Sequence, residues 1–227
     1  MSNLFNLLHL TDSTLPIGGF SHSAGLETYV QLGIVQDVKS AKEFVVEMLT
    51  KNLQYNDAAF MSLAYDAIKN NDVKTFIDLD NECNAVKLPK EIRLASQKMG
   101  MRLLKNFAPL ISNNFTDDYL NQIKYKTAFG HYCLAFGLYA AIFNLNKKEA
   151  LIGFYYNAAV GFVTNSVKLI PLGQQDGQML LYSLQPLIND LAEKTLCVDK
   201  NLLGLCCTGF DIRSMQHEKL YSRLYMS

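Results

Sequence analysis

The chain has 227 residues with 21 basic and 21 acidic side chains, so its formal net charge is zero. That balance gives no electrostatic reason to expect nucleic acid or an acidic membrane surface as a partner. Hydrophobic residues make up 49% of the chain, enough for a globular core. No Pro/Gly/Ser-rich linker or charge block divides the sequence, which reads as one helical domain over residues 1–209 with a tail over 210–227.

The first residues, Met1-Ser2-Asn3-Leu4-Phe5-Asn6, carry no basic region before an apolar stretch and no small-residue cleavage site, so no secretory signal is expected. The loop Leu15-Pro16-Ile17-Gly18-Gly19-Phe20-Ser21 invites comparison with a phosphate loop. It lacks the Gly-Lys-Ser/Thr ending that places a lysine on the phosphates, and a tight connection between helices is the better reading. Ser40-Ala41-Lys42-Glu43 predicts a capping box. Behind it Phe44, Val45, Met48, Leu49 and Leu53 lie on one helical face, in a helix that the polar stretch Asn70-Asn71-Asp72 ends. A further helix runs through Phe76, Leu79 and Cys83. Pro89 suits the first turn of the next, which Pro109 and Asn113-Asn114 close.

Thr116 with Asp117 and Asp118 predicts an N-cap followed by acids in the first turn. Two apolar helices are expected near 127–145 and 148–166, with Gly130, Ala135, Gly137, Ala140 and Ala141 in one and Ala158, Ala159 and Gly161 in the other. Such small side chains let backbones approach closely. The uncharged run from Ala128 to Phe143 falls short of the roughly 20 residues a membrane span needs. A last helix is expected from about Gln175 to Asn189. No stretch alternates with period two, and the predicted fold is all-α, a single-domain irregular helical bundle.

Chemistry is sparsely signalled. The histidines His9, His22, His131 and His217 form no H-x-x-x-H or H-E-x-x-H spacing, and the adjacent pair Cys206-Cys207 tends to diverge rather than chelate. His131, inside an apolar run, reads as a hydrogen-bonded core histidine. The five cysteines are odd in number and irregular in spacing, which predicts reduced thiols in the cytoplasm. No G-x-S-x-G elbow is present. No catalytic, metal or cofactor residue is therefore assigned. The tail from Asp211 to Ser227 is rich in Tyr, Arg and Met, residue types enriched at protein interfaces. Tyr221, Leu224 and Tyr225 would share a face if the segment were helical. The tail either folds back on its own core or docks on another protein.

Several blocks resemble one family. Leu15 through Glu27 resembles an N-terminal signature, and Arg93-Leu94-Ala95-Ser96 with Gly100 a central helix. Gly130-His131 with Phe136-Gly137 resembles a later helix, and Val167-Lys168-Leu169-Ile170-Pro171-Leu172-Gly173-Gln174 a further block. The ending Arg213-Ser214-Met215-Gln216-His217-Glu218 and Tyr221-Ser222-Arg223-Leu224 is similar to a terminal motif. Together these resemble the urease accessory protein UreF family. The resemblance implies an all-α, non-enzymatic homodimer that binds UreD (also called UreH), recruits the GTPase UreG and serves nickel delivery to apo-urease. Glu27, Lys168 and Arg223 match positions implicated in the family's partner contacts. Phe20 stands where some members have tyrosine, and Met226 where arginine is frequent. With the tail, the partner-binding candidates are Phe20, Glu27, Lys168, Arg213, His217, Glu218, Tyr221 and Arg223. The residues themselves leave two alternatives, an all-α ligand-binding protein and a small-molecule enzyme with an unrecognised site.

Overall fold

The computed structural model describes residues 3–19 and 22–226. Among these residues the chain forms twelve α-helices and no strand, in agreement with the all-α expectation. In chain order they are α1 Asn3–Leu10, α2 Leu26–Gln31, α3 Val38–Glu47, α4 Asp57–Lys69, α5 Val73–Val86 and α6 Lys90–Phe107. They continue with α7 Asn114–Lys124, α8 Tyr132–Ile142, α9 Lys147–Leu169, α10 Gln174–Ser183, α11 Gln185–Thr195 and α12 Thr208–His217. No helix among the described residues is long and apolar enough to cross a membrane.

Capping decides where several helices begin. Ser40 takes part in a capping box, but from the third helical position. The Asp37 carboxylate accepts the Ser40 amide at 2.8 Å, and the Ser40 hydroxyl accepts the Asp37 amide at 3.1 Å. The helix thus starts a turn earlier than the sequence suggests. Asn113 likewise displaces Thr116 as the cap of α7, accepting the amide of Phe115 at 2.9 Å. Starting there buries Phe115 and Tyr119, whose rings meet Phe76 edge-on at 5.4 and 4.8 Å.

Two predicted helices are broken. The long helix expected from Ser40 to Asn70 runs through a π-helical turn, Met48–Leu53, and stops at Gln54–Asn56 before α4. The π turn still buries Met48, Leu49 and Leu53, as the periodicity requires. Asn56 then donates to Leu205 O at 3.1 Å, tying the break to the approach to α12. The helix expected over 175–189 divides at Leu184, because Pro186 cannot donate an amide and fits only the first turn of α11.

The centre of the molecule is α8, with every residue from Cys133 to Ala141 buried. Its small residues serve α4 and α6 far more than α9. A Cβ on Gly137 would fall 2.6 Å from Met61 O, and one on Gly100 would fall 2.1 Å from Gly130 O. Around this centre, α4, α9 and α11 are joined by hydroxyls: Ser62 donates to Thr195 O at 2.7 Å, and the Tyr155 and Thr195 hydroxyls lie 2.7 Å apart.

The start of α8 is fixed by charge. Asp80 of α5 is buried and its carboxylate accepts the backbone amides of Phe129 and Gly130, which lead into α8, and of His131, its N-cap. This is why the apolar helix begins at Tyr132 and not near 127. His131 is a buried, hydrogen-bonded core histidine, as expected, with Nδ1 3.1 Å from Ser96 Oγ and Nε2 3.3 Å from Asn84 Oδ1. Burial holds its ring neutral down to about pH 4.

The C-terminal helix α12 begins at Thr208 and packs on α2 and α6. Gly25 permits that crossing: it has φ 77°, and a Cβ there would lie 2.8 Å from Ser214 Oγ. The helix ends at His217, and residues 218–226 continue without helical structure. Tyr221, Leu224 and Tyr225 therefore do not share a helical face.

Candidate functional site

Where α12 crosses α2 and α6, four ionisable side chains from four parts of the chain meet. Glu27 sits in the first turn of α2 and is buried; His217, in the last turn of α12, is 0% exposed. Glu91 lies in the first turn of α6 and Arg223 in the segment after α12. The His217 ring bridges the acids, with Nε2 3.1 Å from Glu27 Oε2 and Nδ1 3.0 Å from Glu91 Oε2. Arg223 donates to Glu91 Oε1 at 2.7 Å. Glu27 also accepts two backbone amides, from Leu224 at 2.8 Å and Tyr225 at 3.3 Å. Burial pushes the Glu91 carboxyl up, and the hydrogen bonds from His217 and Arg223 outweigh that push, leaving it below the ordinary carboxylate range.

Chemically this is a clamp. The acids' oxygens are taken up by donors from α12 and from the segment that follows it. The cluster brings together three of the residues singled out in the sequence, Glu27, His217 and Arg223, and adds Glu91. Glu91 carried no sequence signal, being one acid in the first turn of a helix that opens after Pro89.

The other candidates lie outside the clamp. Lys168 is exposed in the last turn of α9, where a cation suits the helix dipole. Arg213 is half-buried and donates to Gln216 Oε1 at 2.9 Å; Glu218 is exposed. Tyr221 stands fully in solvent. Phe20 lies outside the described residues.

A second feature is a cavity of about 410 Å³ whose wall includes Leu15, Ile17, Met48, Phe154 and Phe162. Its buried charges are already matched: Lys87 Nζ meets Asp57 Oδ2 at 2.7 Å. Burial disfavours the Lys87 ammonium, but the Asp57 carboxylate overrides it and raises the lysine's pKa. Such an amine is held charged and is a poor base or nucleophile at neutral pH. Among the described residues, no three His, Cys, Asp or Glu side chains gather so as to hold a metal ion. Cys206 is exposed with its thiol 3.3 Å from Asp211 Oδ2, while Cys207 is half-buried.

Known proteins align with the whole of this framework. The UreF family model matches residues 35–185, more than half of the chain. The urease accessory protein UreF of Actinobacillus pleuropneumoniae serotype 5b (strain L20) is 47% identical over 227 residues, covering all of both chains. That of Haemophilus influenzae (strain PittEE) is 44% identical over the full length of this chain and 97% of its own. That of Bacillus sp. (strain TB-90) is 34% identical with both chains fully covered. These relatives are named as accessory proteins, not as enzymes. With a family-model match over more than half of its length and relatives alike from end to end, the chain belongs to the UreF family of urease accessory proteins.

Proposed function

We propose that this protein is a cytoplasmic scaffold for urease maturation. It forms a homodimer, binds UreD/UreH through its C-terminal segment, and presents the GTPase UreG to apo-urease for nickel insertion. It does no bond-making chemistry itself. Full-length likeness to named urease accessory proteins carries this reading. The shape of the C-terminus supports it. The backbone of that segment is tied to Glu27, and three of its large side chains stand exposed, Tyr221 at 107%, Leu224 at 76% and Met226 at 57%. Aromatic and apolar anchors on a fixed backbone lose less entropy on docking than a free tail would.

Phe20, Glu27, Lys168, Arg213, His217, Glu218, Tyr221 and Arg223 remain the proposed partner-binding residues. Glu27 and His217 would act by holding the docking segment in place, and Tyr221 and Lys168 by direct contact. The test is capture of UreD/UreH by the intact chain and by one ending at Lys219. Loss of capture by the shortened, still folded protein supports the assignment; unchanged capture refutes the role given to the tail. The cavity favours a second reading, an all-α binder of an apolar small molecule. Displacement of an environment-sensitive apolar dye by cell metabolites, blocked by filling the cavity with Ala158→Phe, would favour that reading over the scaffold.

A further inference from the structure

Residues 218–226 form a strap tied to the body by polar bonds. Gln31 Nε2 donates to Ser222 O at 3.2 Å, Arg223 to Glu91, and the amides of Leu224 and Tyr225 to Glu27. Three of these four bonds end on the two carboxylates that His217 bridges. Of the strap's large side chains, Tyr221, Leu224 and Met226 are exposed and add little holding force, while Leu220 and Tyr225 are half-buried.

The charged and titratable groups around the His217 ring are Glu27 from α2, Glu91 from α6, and Arg223 and Tyr225 from the strap. With hydrogens on both ring nitrogens, His217 donates to each carboxylate, and the two cations of the cluster match its two anions. With one ring hydrogen removed, a nitrogen lone pair lies 3.0 or 3.1 Å from a carboxylate oxygen. Acceptor then faces acceptor, and one negative charge is left without its match in a site where Glu27 is buried. An uncompensated buried charge is strongly unfavourable, and admitting water relieves it. The strap is the part that can move to admit water, because its hold depends on the same two acids.

We infer that the C-terminal strap is a proton-controlled latch, closed while His217 carries both ring hydrogens and opened when it loses one. The latch also opens in acid, by a second route. Glu91, whose carboxyl is held below its ordinary range, stops accepting from Arg223 and His217 once the pH falls through that depressed value. The closed state therefore occupies a window bounded by Glu91 protonation below and His217 deprotonation above. The inference concerns the isolated chain and is independent of any partner's identity.

The experiment is NMR on the full-length protein with labelled histidine rings and backbone amides, across about pH 3 to 9. Above the midpoint of the His217 ring titration, exchange protection of the Leu224 and Tyr225 amides, corrected for intrinsic rate, should fall about tenfold per pH unit, as a one-proton opening requires. Glu91→Gln should weaken both limbs, because the amide takes no proton in acid and can donate to an unprotonated Nδ1 in alkali. His217→Gln should remove the alkaline limb. Glu91→Gln alone suffices if His217→Gln does not fold. Unchanged protection of both amides while the ring titrates would overturn the latch, as would a ring that keeps its state over the whole range in which the fold survives.

Discussion

Single residues divide into those the fold needs and those it leaves free. Glu27 is needed: it accepts from His217 and from two tail amides, so Glu27→Ala leaves the buried His217 ring and two part-buried amides short of an acceptor. It should destabilise the protein by about 3 kcal/mol, read from urea unfolding. Lys168 is the contrast, an exposed side chain, as is usual for a lysine without a buried carboxylate partner. Lys168→Ala should move stability by less than about 0.5 kcal/mol and yet lower urease activation in cells, if its role is contact with a partner. His131 makes stability depend on pH. Its folded ring stays neutral down to about pH 4, whereas an unfolded histidine takes a proton near 6.5. Between those values the unfolded chain binds more protons. Stability is therefore fully present above 6.5 and falls as the pH drops toward 4, by up to about 1 kcal/mol per pH unit from this group. Unfolding curves at several pH values, compared with those of His131→Asn, check the slope.

At the scale of elements, close backbone approach is the sharpest constraint. The atoms nearest a Cβ at Gly100 would be Gly130 O, His131 C and Tyr132 N, all backbone, and none of them can swing aside. Gly100→Ala should cost about 3 kcal/mol by forcing α6 away from the start of α8, measured as a lowered denaturant midpoint. How far such features could be read beforehand follows from their range. The buried stripe Phe44, Val45, Met48 and Leu49 and the apolar α8 were legible because periodicity and composition are local signals. The helix starts at Asp37 and Asn113 were missed because several capping residues compete within one turn, and packing of Phe115 and Tyr119 decides among them. The π turn at Met48–Leu53 has no composition of its own. The clamp was half visible. Glu27, His217 and Arg223 belong to blocks that resemble a family, but nothing local marks Glu91 as their fourth member, since the partners are 126 and 132 residues away.

For the whole molecule, zero net charge and an ordinary apolar fraction of 49% leave the proposed scaffold role to be tested by association itself. Light scattering at micromolar concentration should return the mass of two chains, and a purely monomeric mass would count against self-association. Under the proposed function, the clamp would fix where the C-terminal segment leaves the body and so present it to a partner in a defined geometry. The most direct test of the scaffold is purification of the tagged full-length chain from cells co-expressing its own UreD/UreH, UreG and apo-urease, with the mass of the intact assembly measured. The account predicts one complex holding two copies of this chain together with UreD/UreH and UreG, and its loss when the strap is removed. Recovery of this chain without either accessory protein, under conditions where the cells still assemble active urease, would contradict it.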